Sequence, residues 1–401
     1  MMNINMSRPI EERMVRSGLM KIGLDVFLES QYKDYLGKRI GLVTNITGVN
    51  QNLVPSIDLF YEHPDIQLAA LYAPEHGIRG DAKEGEKVET TVDPDTGLPV
   101  FSLYGESRKP SKEMLDPIDV VVFDLQDIGS RYYTFIYTMA YVMEACAEYG
   151  KEFVVLDRPN PVSGERLEGN LVEEDVRSFV GLLPIPNRHG MTVGELALLF
   201  KHEFGYDCEL TIVPMQGWNR DMYYDETGLF WVPPSPNTTN IDMNILYPGT
   251  CLVEGTNLSE GRGTTRPFEY IGAPYIDGQR LARTFNQKKI SGVLARPTSF
   301  IPTYQKHKDE VCRGIQLHVV DRRILNSLEA GILLIETIAD MYPHDFSFIS
   351  NNNGKYFFDL LAGTKKLREY ILHGTSGDFL EACEGQVASF KKQREPYLLY
   401  K

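Results

Sequence analysis

The chain has 401 residues, of which 42% are hydrophobic, and a formal net charge of −14 at pH 7. That length calls for two cores rather than one, and the composition is that of a globular protein without low-complexity tracts. The negative balance argues against nucleic acid and against anionic membrane surfaces.

No run of about eighteen apolar residues occurs, and the N-terminal MMNINMSRPIEERM holds no apolar stretch of signal-peptide length. A cytoplasmic protein is therefore expected, or a secreted one if a leader has been trimmed. The five cysteines are scattered and form no CxxC pair. Reduced, buried thiols are the expectation.

In chain order, residues 26–35 read as a short helix and 39–45 as a strand ending in Thr44-Asn45. A helix opened by Pro55 covers 54–62. The apolar run 66–72 reads as a buried strand, stopped by Pro74, which has no amide hydrogen to donate. Glu75 and His76 follow at once, with Gly77 and Gly80 permitting sharp turns. Residues 81–97 are charged and turn-rich. Strands are expected at 99–104, at 119–125 ending in Gln126-Asp127, at 153–156 ending in Asp157-Arg158-Pro-Asn160, and at 210–214. Helices are expected over 132–149 and over 193–204, the latter capped by Thr192.

Continuous apolar strands alternating with helices imply a parallel sheet covered on both faces. Ligands of such sheets bind beyond the C-terminal strand ends. Asn45, Glu75-His76, Gln126-Asp127 and Asp157-Arg158-Asn160 all stand at such ends. From 218 to 246 the periodicity disappears in a Pro-, Asn- and Trp-rich stretch, read as a crossover lining a cleft. The first domain is thus 1–217 and a second, α+β domain is 247–401. Expected in the second are strands at 292–301 and 315–320, helices at 325–341 and 378–394, and a glycine-rich stretch carrying Glu254, Asn257, Glu260 and Arg262.

Glu75, beside a proline and among apolar residues, is the leading acid/base; a surface-loop glutamate is the plainer alternative. His76 could orient Glu75, touch substrate, ligate a metal or serve structure. Asp127 could hold substrate hydroxyls or cap the following helix. Arg131 and Arg158 could fork onto a carboxylate or pair with Asp127 or Asp157. Arg188-His189 reads as loop support or substrate contact. Tyr72, Tyr132, Tyr133, Trp218 and Trp231 could stack on sugar faces or belong to the core.

There is no GxGxxG after a strand, no GxxxxGK[ST], no HExxH and no GxSxG elbow. Dinucleotide, P-loop, zinc-protease and serine-hydrolase chemistry have no motif here, and neither cofactor nor metal is expected. Carboxylates around a polar cleft suit glycoside cleavage best.

The motifs PEHGIRG (74–80), DLQDIGSRYYT (124–134), LDRPNP (156–161), RHGMT (188–192), PSPN (234–237) and EGTNLSEGRGTTRPFE (254–269) together resemble the NamZ-type exo-β-N-acetylmuramidases. The resemblance implies a Rossmann-like domain joined to a smaller α/β domain, with the site in the cleft between them. It implies release of N-acetylmuramic acid from the non-reducing end of peptidoglycan fragments, in keeping with cell wall recycling. Its catalytic glutamate falls on Glu75. The second group is Asp127, Glu254, Glu260 or the substrate's own acetamide. Tyr132, Asn237 and Asn257 join the expected substrate contacts. In so acidic a protein the lactyl carboxylate needs a local cation; Arg131, Arg158 and Arg262 are the choices, with Arg131 favoured. The competing functions are a non-catalytic binder of cell-wall sugars and a metal-dependent amidase or esterase.

Overall fold

The computed structural model describes residues 20–75, 77–78, 91–104, 108–351 and 353–401. Among them, β1 (Arg39–Thr44), β2 (Gln67–Ala73), β3 (Thr91–Val92), β4 (Pro99–Ser102), β5 (Val120–Asp124), β6 (Glu152–Leu156) and β7 (Glu209–Val213) form one sheet. Its order is β3-β4-β2-β1-β5-β6-β7. All neighbours run parallel except β3, which pairs antiparallel with β4 at the edge. That two-residue strand lies where the sequence reads as loop.

The register explains why these strands are apolar throughout. Leu42 stands beside Leu71 and Val122, and Val122 beside Val154. Successive side chains point to opposite faces, so each strand must supply both. Leu42, Leu71, Val122 and Val154 pack under α1 (Gly23–Glu29) and α2 (Ser56–Tyr61) with Trp218. Val43, Ala70, Phe123 and Val155 face α4 (Phe135–Tyr149) and α5 (Val193–Phe204), while α3 (Lys112–Leu115) is one turn leading into β5. The expected boundaries of α5 hold, because Thr192 and Glu195 close a reciprocal capping box.

The second lobe holds an antiparallel sheet, ordered β8 (Tyr270–Ala273), β10 (Cys312–Val319) and β9 (Val293–Phe300). Its helices are α6 (Ile241–Thr250), α7 (Gly278–Gln287), α8 (Ser327–Met341), α9 (Phe357–Ala362), α10 (Lys366–His373) and α11 (Ser376–Arg394). Helix α6 contains Pro248 and Gly249, yet it is buried. It crosses α8 so closely that a Cβ on Gly249 would stand 1.9 Å from the Ser327 carbonyl oxygen. Glycine is required there for backbone approach, not for a turn. No helix among the described residues is long and apolar enough to cross a membrane.

The lobes share one apolar cluster, in which Phe123 and Phe200 connect through to Phe268, Ile335 and Phe390. A buried cation also joins them. Arg131 Nη2 donates to the carbonyls of Leu361 (3.0 Å) and Ala362 (2.9 Å), the last of α9. These are carbonyls that a helix end leaves without partners, and a cation there also suits the helix dipole. The chain end returns to the first sheet: the Tyr400 hydroxyl donates to Asp157 Oδ2 at 2.6 Å, and Leu399 N to Glu195 Oε1 at 2.9 Å.

Candidate active site

A pocket of about 480 Å³ opens between the lobes. That is within the usual range for a small-molecule site. The end of β2 delivers Glu75, the loop after β4 brings Tyr104 and Arg108, and the turn leading into α4 adds Tyr132, Tyr133 and Thr134. From the crossover come Ser235, Asn237 and Thr238, and from the second lobe Glu254, Arg262, Phe268 and Gln305.

Glu75 is half-buried on this wall. The Thr134 hydroxyl donates to its Oε2 at 2.8 Å, and the Tyr104 phenol also bonds to it. Burial, and then the Glu75 charge, pushes the Tyr104 phenol up to about 12, so it stays a donor at neutral pH. Tyr133 is held neutral by burial, with the charges of Glu75 and Asp127 acting in the same direction. Gly77 takes a left-handed φ of 74°, which fits its expected turn role. His76 lies outside the described residues.

Glu254 is the second carboxylate in the pocket. Arg262 Nη2 donates to its Oε1 at 2.7 Å, while Arg262 Nε lies 3.2 Å from Glu260 Oε1 and Lys306 Nζ 2.7 Å from Glu260 Oε2. Burial raises the Glu254 pKa, Arg262 opposes that rise, and Glu260 adds to it. Of the three expected second carboxylates only Glu254 lines the pocket; Asp127 and Glu260 stand behind the walls. Asn237 also lines it, with its amide bonded to the Tyr304 hydroxyl at 3.1 Å.

Most of the other strand-end residues serve structure instead. Arg131 is completely buried, and its guanidinium is spent on the carbonyls of Asn170, Ile185, Leu361 and Ala362. Arg158 grips Asp124, with Nε 2.6 Å from Oδ1 and Nη2 2.9 Å from Oδ2. Neither reaches the pocket, which corrects the expectation that either could fork onto a ligand. Arg188 is likewise buried against Glu168 at 2.8 Å. His189 accepts from Met191 N through Nδ1 and turns Nε2 toward Asp127 Oδ2 at 3.5 Å.

Asp127 caps its own turn instead of contacting the pocket, accepting from Gly129 N at 2.7 Å. Asn45 accepts from Thr47, Gln126 donates to the Asp127 and Pro159 carbonyls, and Asn160 donates to Met191 O. Asp157 holds Thr192, Gly194 and Tyr400. Asn257 braces a turn through Asp345 O and Tyr275. The rule that ligands sit beyond strand ends thus applies here to β2 and β4. At β1, β5 and β6 the same polar residues tie loops together under the site.

Among the expected stacking aromatics, Tyr132 and Tyr133 line the pocket. The Tyr72 hydroxyl donates to Met114 O, Trp218 packs edge-on to Tyr400, and Trp231 Nε1 donates to Thr238 O. Sequence reasoning missed Tyr104, Arg108, Thr134, Phe179 and Gln305. Thr134 closes a motif that was read, but the others follow no periodic signal. Among the described residues, no group of three or more His, Cys, Asp or Glu is placed to hold a metal ion.

Residues 40–242 match the family model "Exo-beta-N-acetylmuramidase NamZ, N-terminal", and 245–400 match "Exo-beta-N-acetylmuramidase NamZ, C-terminal". A curated relative, peptidoglycan beta-N-acetylmuramidase NamZ of Bacillus subtilis (strain 168), is 49% identical over 95% of this chain and 91% of its own. Two DUF1343 family proteins of Bacteroides fragilis NCTC 9343 have similar crystal structures. One has a TM-score of 0.88 at 39% identity over 96% of this chain and 100% of its own. The other has 0.78 at 32% identity over 95% and 99%.

Proposed function

The chain belongs to the NamZ exo-β-N-acetylmuramidase family, and from that premise we infer how its pocket cleaves peptidoglycan-derived sugars. The protein is a glycosidase releasing N-acetylmuramic acid from the non-reducing end of peptidoglycan fragments. Glu75 is the general acid/base. It gives a proton to the glycosidic oxygen as the bond to the anomeric carbon breaks, and the freed alcohol of the next sugar departs. Water supplies the oxygen that returns to the anomeric carbon, and its proton passes to a carboxylate. Glu254, fixed by Arg262 on the facing lobe, is the second carboxylate.

The observation that carries this reading is the placement of Glu75: half-buried in the pocket and bonded by the hydroxyls of Thr134 and Tyr104. Two fixed donors hold the carboxyl group in one orientation, which proton transfer to a bound oxygen requires.

The test uses leaving groups of different basicity. Glu75→Gln should lower turnover of a natural disaccharide by at least about a hundredfold. It should lose far less on a dinitrophenyl muramide, whose leaving group departs without protonation. Glu254→Gln should lose similar factors on both. Near-normal disaccharide turnover in Glu75→Gln would remove Glu75 from the mechanism.

A further inference from the structure

We propose that Arg108 is the residue that selects muramyl over glucosaminyl sugars, by a two-pronged contact between its guanidinium edge and the 3-O-lactyl carboxylate. The inference rests on the muramidase reading above. N-acetylmuramic acid differs from N-acetylglucosamine only by that lactyl ether, whose carboxylate is its one charged group and the strongest handle for discrimination. In a protein of net charge −14 this requires a local cation.

Among the described residues lining the pocket, the cations are Arg108 and Arg262. Arg262 is engaged by Glu254 and Glu260. Arg108 is held differently. Its guanidinium carbon lies 3.8 Å above the centre of the Phe179 ring and 5.8 Å from that of Tyr104. Phe179 is itself packed on Tyr104, Tyr137 and Tyr141. A guanidinium stacked on an aromatic face is oriented through that face, while its N–H edge stays available in plane. The side chain is exposed at the pocket wall, so a carboxylate can reach that edge.

The position also fits. Tyr104 touches both groups: its hydroxyl bonds Glu75 and its ring flanks Arg108. The proton donor and the cation are thus spaced along one tyrosine. In the sugar, the anomeric carbon and the lactyl-bearing C3 are likewise separated by one ring carbon. The proposed pose puts the glycosidic oxygen at Glu75 and runs the lactyl arm along this wall toward Arg108.

The test is a cycle of enzyme and substrate changes. Wild type, Arg108→Ala and Arg108→Lys are assayed on 4-nitrophenyl glycosides of N-acetylmuramic acid, its lactyl methyl ester and N-acetylglucosamine. Arg108→Ala should reduce the muramyl-to-glucosaminyl ratio of kcat/KM by about ten- to hundredfold, mainly through KM, as expected for losing charge-assisted hydrogen bonds. Esterification should harm wild type by a similar factor and Arg108→Ala hardly at all. Lysine, a charge without the fork, should recover only part of the ratio. An Arg108→Ala enzyme that still separates acid from ester as strongly as wild type overturns the proposal and leaves the muramidase reading standing. Wild type that releases no N-acetylmuramic acid overturns both.

Discussion

Arg131→Met tests whether this arginine serves the scaffold or the substrate. The guanidinium is fully buried, and its two terminal nitrogens donate to four carbonyls: Asn170 (2.5 Å), Ile185 (3.1 Å), Leu361 (3.0 Å) and Ala362 (2.9 Å). Methionine retains most of the stem and none of the donors. Two effects compete. Removing a charge that burial already disfavours is a gain, visible in the lowered pKa of this arginine. Leaving four buried carbonyls without these donors is a loss of about 1 kcal/mol each, or roughly 4 kcal/mol together. The loss should win, because the acceptors are buried backbone atoms, two of them the last carbonyls of α9, that cannot reach water without local unfolding. An unfolding entropy near 2.1 cal/mol/K per residue, over 401 residues, converts that loss to a Tm lower by roughly 5 °C. Calorimetry of both proteins, beside turnover on muramyl and glucosaminyl glycosides, gives the result. A lower Tm with unchanged sugar preference is expected. An unchanged Tm with the muramyl preference gone would refute the reasoning and return Arg131 to the substrate.

Asp157 sets a pH dependence of stability. Burial pushes its carboxyl up to about 7, against opposing hydrogen bonds from Tyr400, Gly194 and Thr192, while an unfolded aspartate titrates near 3.9. The folded state therefore holds a proton that the unfolded state has released, and this contribution to stability falls as pH rises from about 4 to about 7. Tm measured across that window should decline less in Asp157→Asn than in wild type; equal slopes would show that another group is responsible. A mechanism resting on Glu75 and Glu254 needs no divalent ion, so turnover in excess EDTA should match the untreated enzyme. Loss reversed by added zinc would instead point to metal-assisted chemistry.

The strands of the large sheet were legible because burial on both faces leaves nearly unbroken apolar runs, as in β5 and β6. Helix α5 was legible from its capping box. Helix α6 was not, because Pro248 and Gly249 read locally as breakers. Gly249 is instead needed for the close crossing with α8, and the Pro248 carbonyl accepts from the Tyr132 hydroxyl at 2.9 Å. The site divides in the same way. Glu75 stood out because a carboxylate directly after a proline-stopped strand is unusual. Arg131 and Arg158 stood out for a similar reason and were misassigned. An arginine after a strand looks the same whether it meets a ligand or a ring of buried carbonyls, and only the packing tells them apart. Arg108 carries no local mark at all; its place is set by Phe179, some seventy residues away in the chain.

The return of the chain end to the first sheet has a consequence for biosynthesis. Asp157 and Glu195 are buried in the first lobe, yet their partners Tyr400 and Leu399 lie 243 and 204 residues further on. During vectorial synthesis an N-terminal lobe is expected to fold first. Until residues 399 and 400 are made, Asp157 keeps Thr192 and Gly194, and Glu195 keeps Thr192 N, but each lacks one donor. The lobe can collapse, but these two contacts form only after residues 399 and 400 leave the ribosome. A chain stalled before residue 399 would therefore keep the sheet but lose these bonds, and because Met215 N also donates to the Tyr400 hydroxyl, proteases should cut it faster near residues 215–220 than they cut the 401-residue chain.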